Sequence, residues 1–346
     1  MKNTALSVSA YLSLVLAFVA ATVSAQMAKP TTAAPAEGVA SEGQKVADFP
    51  FGEVVGGDVK TKLSEHKGDI VLFAEFQDIA YGGIEAAHVG MKLEEKFGKQ
   101  GLVVYLLDCN DGWSKAKAKA FLYKKFPGYD ARVMNKVRMP ITTAGGDTPP
   151  RIVLIGADGT LLLEGSFRNK GGKLEKTVAA EAARRKSGWG TDPQAKKIRA
   201  LAFGQGKLAE ARAVAEAVKS PSEETKQAAG EVEDYFSREV ARAAELVRLA
   251  RYGDSESCLL AVEKGTGNVQ DWNEMLKVAK TELASFADAK KRDVEKALNA
   301  LEAQVQSGKC DAGHVKKAKD IAKANAGTEL ALRAERLAAV ADELVK

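Results

Sequence analysis

Three near-continuous apolar runs constrain the fold of this chain most strongly, because each has the length of a strand and lacks a polar face. They are Ile70–Phe76, Leu102–Leu107 and Ile152–Ile155. Such runs are typical of strands that are covered on both faces. Helical patterns separate them at Glu85–Phe97 and Ser114–Phe126. This alternation predicts an α/β fold with a central mixed sheet flanked by helices.

The last strand signals of this α/β part indicate a hairpin. Asp158-Gly159 separates Ile152–Ile155 from a second apolar run, Leu161–Leu163, and this dipeptide is typical of a tight turn between antiparallel strands. A helix from Leu174 to about Lys186 then closes the unit. We therefore expect an α/β domain over residues 46–190.

Residues 191–346 carry helical patterns and no strand signal. A chain of 346 residues exceeds the usual size of one domain, so a second, all-α domain of antiparallel helices is expected here. One predicted helix spans 273–305, which leaves self-association as a coiled coil open. Helix breaks are predicted at Gly204-Gln205-Gly206, Ser220-Pro221-Ser222, Gly253-Asp254, Gly265-Thr266-Gly267 and Gly308.

The segment from Gly206 to Ala211 resembles the opening of a tetratricopeptide helix, and similar openings follow Gly253 and Gly308. Their separations are longer than the tetratricopeptide period of about 34 residues. The all-α domain is therefore predicted to be a degenerate, tetratricopeptide-like repeat. Helical repeats commonly bind other proteins along extended surfaces.

The N-terminus predicts export. Lys2 precedes an apolar stretch from Ala5 to Val23, and Val23-Ser24-Ala25 fits a cleavage site, so residues 1–25 are expected to be a signal peptide. An uncleaved membrane anchor is the alternative. Residues 26–45 are poor in apolar side chains and predict a disordered linker. The body of the chain is expected to be periplasmic or secreted, with no membrane span after signal removal.

Charge and composition exclude several classes of function. The 51 basic and 46 acidic residues are mixed along the chain, so a net charge of +5 does not form a nucleic-acid-binding stripe. Three Cys and three His cannot supply a cysteine-rich scaffold or a four-ligand zinc site with residues to spare. We therefore expect no cofactor, no metal and no nucleic-acid partner.

Four sequence landmarks resemble, in their order and spacing, exported thioredoxin-like proteins of the redoxin and TlpA type. They are Ala47-Asp48-Phe49, Leu63–Asp69, Phe121–Phe126 and Thr148–Ile155. The resemblance covers about residues 46–186 and implies a thioredoxin-like domain. It also implies that Pro150 takes the place of the family's cis-proline, which lies beside the active site.

The family's Cys-x-x-Cys motif would fall at Tyr81-Gly82-Gly83-Ile84, where no cysteine is present. A peroxiredoxin-type Thr-x-x-Cys element is also absent there. Without a thiolate at this turn, the family's redox activity does not carry over. Together with Pro150 and Trp113, these four residues are candidates for a peptide-binding groove; alternatively, the aromatic side chains only cover a strand end.

Cys109 follows the second apolar run, in Asp108-Cys109-Asn110-Asp111. It is a candidate for a lone redox thiol, or else a partly buried structural residue. No basic neighbour in the sequence lowers its pKa, and the neighbouring carboxylates would raise it.

Cys258 and Cys310 each lie near a predicted helix start. They are candidates for a disulfide, which an exported protein permits, or for two unpaired thiols. Cys310 and His314 share one helical face, but two ligands do not make a metal site. Structural roles are expected for His66 and His88, because no triad accompanies them.

These features favour an exported thioredoxin-fold protein that lacks the dithiol and acts as a protein-binding or scaffolding module in the cell envelope. A thioredoxin fold can offer a groove for an extended peptide whether or not the dithiol is present. A thiol-dependent oxidoreductase that uses Cys109 is the alternative, and a purely structural envelope spacer is a third possibility.

Overall fold

The computed structural model describes residues 40–51, 54–55, 60, 62–78, 81–110, 112–130, 132–135 and 150–346. The expected signal peptide, residues 1–25, lies outside the described residues, as does the linker up to residue 39. The linker's last residues instead pair with the sheet: the N–H of Gly43 donates to the C=O of Leu161 at 2.8 Å, and Lys45 bridges Thr160. The α/β part therefore includes residues before the predicted boundary at 46.

Six strands of the described residues form one mixed sheet in the order β1-β4-β3-β2-β5-β6. Strand β3 is parallel to β2 and to β4. Strand β5 is antiparallel to β2 and β6, so the hairpin at the end of the sheet is confirmed. The predicted fold class is confirmed as well. The strands are β1 (Val54–Val55), β2 (Ile70–Phe76), β3 (Leu102–Asp108), β4 (Arg132–Asn135), β5 (Arg151–Ile155) and β6 (Leu161–Ser166).

Strand β2 is buried on both faces, as its continuous apolar run predicts. Leu72 and Phe76 lie in a core cluster shared with the flanking helices, whereas Val71 and Phe73 pack in a second cluster with Phe51. This alternation follows from the two-residue period of a strand. The flanking helices are α1 (Tyr81–Phe97), α2 (Lys115–Lys125) and α3 (Phe167–Ser187).

Two of these helices begin earlier than predicted. Helix α1 starts at Tyr81 instead of Glu85, because Gly82 and Gly83, which are poor helix formers, still adopt helical conformation. Helix α3 starts at Phe167 instead of Leu174, directly after β6. Tertiary contacts outweigh weak local propensity at both positions, since α1 packs on β2 and α3 packs on β6.

The C-terminal part is helical, as predicted. The predicted break at Gly253-Asp254 is wrong, since both residues lie inside a helix and the chain turns at Ala250 with a positive φ of 55°. The helices are α4 (Pro193–Arg199), α5 (Leu208–Ala217), α6 (Glu223–Arg248), α7 (Tyr252–Thr266), α8 (Gln270–Phe286), α9 (Ala289–Gln306), α10 (Ala312–Ala324) and α11 (Glu329–Val345), with a π-turn at Ala200–Gly204.

The predicted single helix over 273–305 is also wrong. It is two helices, α8 and α9, because the Asp288 side chain caps α9 by accepting a hydrogen bond from the N–H of Lys291 at 2.8 Å. Phe286, the last residue of α8, is 52% exposed.

The helical part packs directly on the α/β part. Helix α11 contacts α2, and Ala120 and Tyr123 of α2 belong to the hydrophobic cluster of the helical part. A second contact is polar: the Arg238 guanidinium donates to the C=O groups of Ser64 and Lys67 at 2.8 and 2.9 Å.

Among the helices of the described ranges, none has both the length and the apolarity needed to cross a membrane.

Candidate functional site

The structure brings two candidate groove residues together where β2 ends and α1 begins. A Cβ atom added to Gly82 would lie 3.5 Å from Cγ of Pro150, an ordinary van der Waals contact. The Pro150 ring therefore covers the first turn of α1, at the position where the resemblance placed the family's active site. Gly82 is half-buried and Pro150 is buried, so the two residues pack closely at this junction.

Gly83 has a different reason to be glycine. A Cβ atom at this position would lie only 2.7 Å from the backbone nitrogen of Gln77, which a real Cβ does not tolerate. The close approach holds the start of α1 against the chain that leaves β2. Ile84, one residue further on, is half-buried. The Tyr81 side chain lies outside the part of the chain that the structure describes.

Trp113 packs against α2. The indole is 9% exposed, its ring centroid lies 5.2 Å from that of Phe121, and Lys117 Nζ lies 4.7 Å from the ring. These contacts fit the alternative weighed for Trp113, an aromatic side chain that covers a strand end. They bring Trp113 to the side of the helix.

Cys109 lies just beyond β3 and is tied to the end of β2. Its N–H donates to the C=O of Phe76 at 3.0 Å, and its C=O accepts from Gln77 Nε2 at 3.2 Å. Burial, together with the nearby carboxylates of Glu75 and Asp108, raises the pKa of the Cys109 thiol to about 12. At neutral pH the sulfur is therefore a thiol, which is a poor nucleophile.

Glu75 is a site residue that the sequence reasoning missed. It is 7% exposed, and its Oε2 accepts a hydrogen bond from the N–H of Arg151 at 2.8 Å. Burial raises the pKa of this carboxyl above its ordinary value. The signal was present in the sequence, since Glu75 is the one charged residue within the apolar run Ile70–Phe76.

The predicted disulfide between Cys258 and Cys310 is not formed. All three cysteines are unpaired, and all three are among the described residues. Cys258 Sγ lies 3.4 Å from the backbone oxygen of Glu239 on α6, whereas Cys310 Sγ lies 3.7 Å from the backbone oxygen of Ala341 on α11. Each sulfur therefore packs against a different helix, a long-range arrangement that residue spacing does not reveal.

The histidines have structural contacts. His66 is buried, with its two ring nitrogens 3.1 Å from Asp69 Oδ2 and 2.8 Å from the Tyr105 hydroxyl. His88 stacks on Phe126 with ring centroids 5.2 Å apart. Asp311 caps α10 by accepting from the backbone N–H of His314 at 3.1 Å, and His314 Nδ1 accepts in return from the backbone N–H of Asp311 at 3.2 Å. Within the described ranges, no group of three or more His, Cys, Asp or Glu side chains is arranged to hold a metal ion.

Comparisons with known proteins give similarity at the level of structure alone. No family model matches the sequence, and no curated protein matches it. A protein assigned as thiol:disulfide interchange protein DsbE from Chlorobium tepidum is 19% identical, with a TM-score of 0.32 over 41% of this chain and 99% of its own.

Two further solved structures are similar over the same share of the chain. One, assigned as a thioredoxin from Neisseria meningitidis, is 17% identical over 39% of this chain and 91% of its own, with a TM-score of 0.31. The other, a thioredoxin family thiol:disulfide interchange protein from Chlorobium tepidum, is 13% identical over 40% and 99%, with a TM-score of 0.30. Independently of these comparisons, the order and directions of the described strands form a mixed, thioredoxin-like sheet flanked by helices, and a helical part follows it.

Proposed function

We propose that this chain is an exported thioredoxin-fold protein that is redox-inactive at the usual dithiol position and binds a protein partner in the cell envelope. The observation that carries the proposal is the chemistry of the junction between β2 and α1. Gly82 and Gly83 lie there without a thiol, and the adjacent Cys109 has a raised pKa of about 12. The junction therefore offers shape and hydrogen-bonding groups in place of a nucleophile.

The groove beside Pro150 is the proposed contact for an extended segment of the partner. Gly82 sets no β-carbon against the buried Pro150 ring, which permits the close backbone approach that a bound strand requires. The helical part, which we infer to be a tetratricopeptide-like interaction module, would add a second contact area. Export rests on the apolar N-terminal stretch from Ala5 to Val23.

Substitution Gly82→Leu is expected to weaken peptide binding, because its side chain would occupy the space beside Pro150. The probe is carboxymethylated lactalbumin, an unfolded chain without free thiols, and the measurement is its affinity by calorimetry. The matched control is Gly172→Leu on α3, where an added Cβ meets no atom within 4 Å. We expect a loss of about tenfold or more for Gly82→Leu and less than about twofold for the control.

Equal affinities of the two folded variants would contradict the groove, and so would an absence of binding by the unchanged chain. Circular dichroism of both variants establishes that they are folded.

The alternative function is a thiol-dependent oxidoreductase that uses Cys109. It requires a thiolate at neutral pH, and the carboxylates of Glu75 and Asp108 oppose that charge. The raised pKa of Cys109 therefore argues against the oxidoreductase and supports the binding function.

A further inference from the structure

The solvent-facing side of α2 is uniformly basic apart from one aromatic ring. Lys117, Phe121, Lys124 and Lys125 recur at i, i+4, i+7 and i+8, so they share one side of the helix. We call these four residues the lysine stripe. The other sides of α2 are covered, since Ala118 and Leu122 face the sheet, and Ala120 and Tyr123 face the helical part.

The lysines of the stripe lack acidic partners. None of the three forms an ion pair with a described side chain. Some other surface lysines are paired, for example Lys226 with Glu223 at 2.6 Å and Lys296 with Asp293 at 3.2 Å. Within the stripe, Lys125 Nζ instead lies 5.7 Å from the Phe121 ring centroid. Lys117 Nζ likewise lies 4.7 Å from the Trp113 ring. The stripe therefore presents three positive charges that have aromatic contacts but no acidic partner among the described side chains.

Helix stability does not explain this arrangement. Cations near a helix C-terminus interact favourably with the helix dipole, which accounts for Lys124 and Lys125. Lys117 lies in the first turn, where a cation interacts unfavourably with the dipole, and α2 has no acidic residue in that turn. The Trp113 ring, 4.7 Å from Lys117 Nζ, gives this cation a local contact but no counter-charge.

We propose that the lysine stripe binds an acidic segment of a protein partner. Three uncompensated ammonium groups beside an aromatic ring complement Asp and Glu carboxylates, which the stripe itself does not supply. The proposal deepens the proposed function, on which it rests, by naming the chemistry of the partner. It concerns a surface other than the groove beside Pro150, so the two contacts can be tested separately.

The test compares two triple variants that change the net charge equally. One is K117Q/K124Q/K125Q, and the control is K207Q/K226Q/K296Q, in which each lysine is exposed and paired within its own helix region. The probes are capped peptides of alternating Glu and Ser, or of alternating Gln and Ser, and calorimetry with the full chain gives the affinities. We expect the stripe variant to bind the Glu peptide about tenfold or more weakly, and the control within about twofold.

Two further measurements support or overturn the proposal. Substitution K117R/K124R/K125R keeps the charges and is expected to retain binding, as is Gly82→Leu, which alters only the groove. Equal loss in both Gln variants, or equal affinity of the unchanged chain for the two peptides, would overturn it. Stripe-dependent binding to phosphatidylglycerol vesicles without binding of the Glu peptide would overturn it as well, in favour of a lipid surface.

Discussion

Cys109 is expected to react with iodoacetamide about 30- to 60-fold more slowly at pH 7 than an unperturbed cysteine does. Its pKa is raised from 9.0 to about 12, so the thiolate fraction falls by about three orders of magnitude. A more basic thiolate is intrinsically more nucleophilic, with a Brønsted coefficient of about 0.4–0.5, which offsets part of that loss. Partial burial of the sulfur slows the reaction further.

Mass mapping of alkylated peptides over time measures this rate, and the chain unfolded in guanidinium gives the reference rate for each cysteine. Cys258 is an internal comparison, because burial and Glu239 raise its pKa to about 12 as well. Substitution Glu75→Gln removes one of the carboxylates that raise the pKa of Cys109. It should therefore accelerate the alkylation of Cys109 and leave the alkylation rate of Cys258 unchanged. If Cys109 were alkylated as fast in the folded protein as in the unfolded chain, the conclusion that its thiol is protonated at pH 7 would be wrong.

Substitution Arg199→Met is expected to lower the free energy of unfolding by about 3 kcal/mol, since it leaves a buried carboxylate without its main partner. Arg199 and Glu231 are each 2% exposed. Arg199 Nε donates to Glu231 Oε2 at 2.7 Å, and the guanidinium also donates to the C=O of Trp189 at 2.9 Å. Lys67 Nζ, 3.4 Å from Glu231, supplies only part of the lost charge.

Urea unfolding followed by circular dichroism measures this change. The matched control is Lys226→Met, which removes an exposed ion pair with Glu223 and should change stability by less than about 1 kcal/mol. The double variant R199M/E231Q removes both charges of the buried pair and should recover part of the loss. A loss below about 1 kcal/mol for Arg199→Met would contradict a stabilising role for this pair.

The arrangement of strands in the sheet follows from local sequence. The apolar runs became β2, β3 and β5, because strands buried on both faces need apolar side chains on both. The hairpin turn at Asp158-Gly159 could also be predicted, because Gly159 has a positive φ of 81°, which glycine adopts without strain. The first residues of helices α1 and α3 could not be predicted, because tertiary packing determines where these helices begin.

Contacts between distant residues could not be predicted from the sequence. The helical part lies on α2 and on the turn before β2, and no periodic pattern marks Tyr123 or Arg238 as the residues that join them. The separate surroundings of Cys258 and Cys310 are hidden for the same reason. Asp288 was a missed signal, since an Asp before a helical pattern is a common N-cap and would have divided the segment 273–305.

At the candidate site, the absence of the dithiol could be predicted from the sequence. The interactions among the residues that are present there could not. The lack of a Cys-x-x-Cys motif at Tyr81–Ile84 was evident from the sequence. The contact of Gly82 with Pro150 and the influence of Glu75 on Cys109 depend on strands that are far apart in the chain. Trp113 was a candidate for the groove or for covering a strand end, and its ring packs against Phe121 of α2.

We propose that this protein binds a partner without performing thiol chemistry. Insulin reduction with dithiothreitol as reductant, and peroxide consumption with the same reductant, measure that chemistry for the purified chain and for Cys109→Ser. Because the Cys109 pKa of about 12 leaves little thiolate at neutral pH, we expect both proteins to match the rate without protein. Turnover by the unchanged chain that is lost in Cys109→Ser would contradict the account and establish an oxidoreductase.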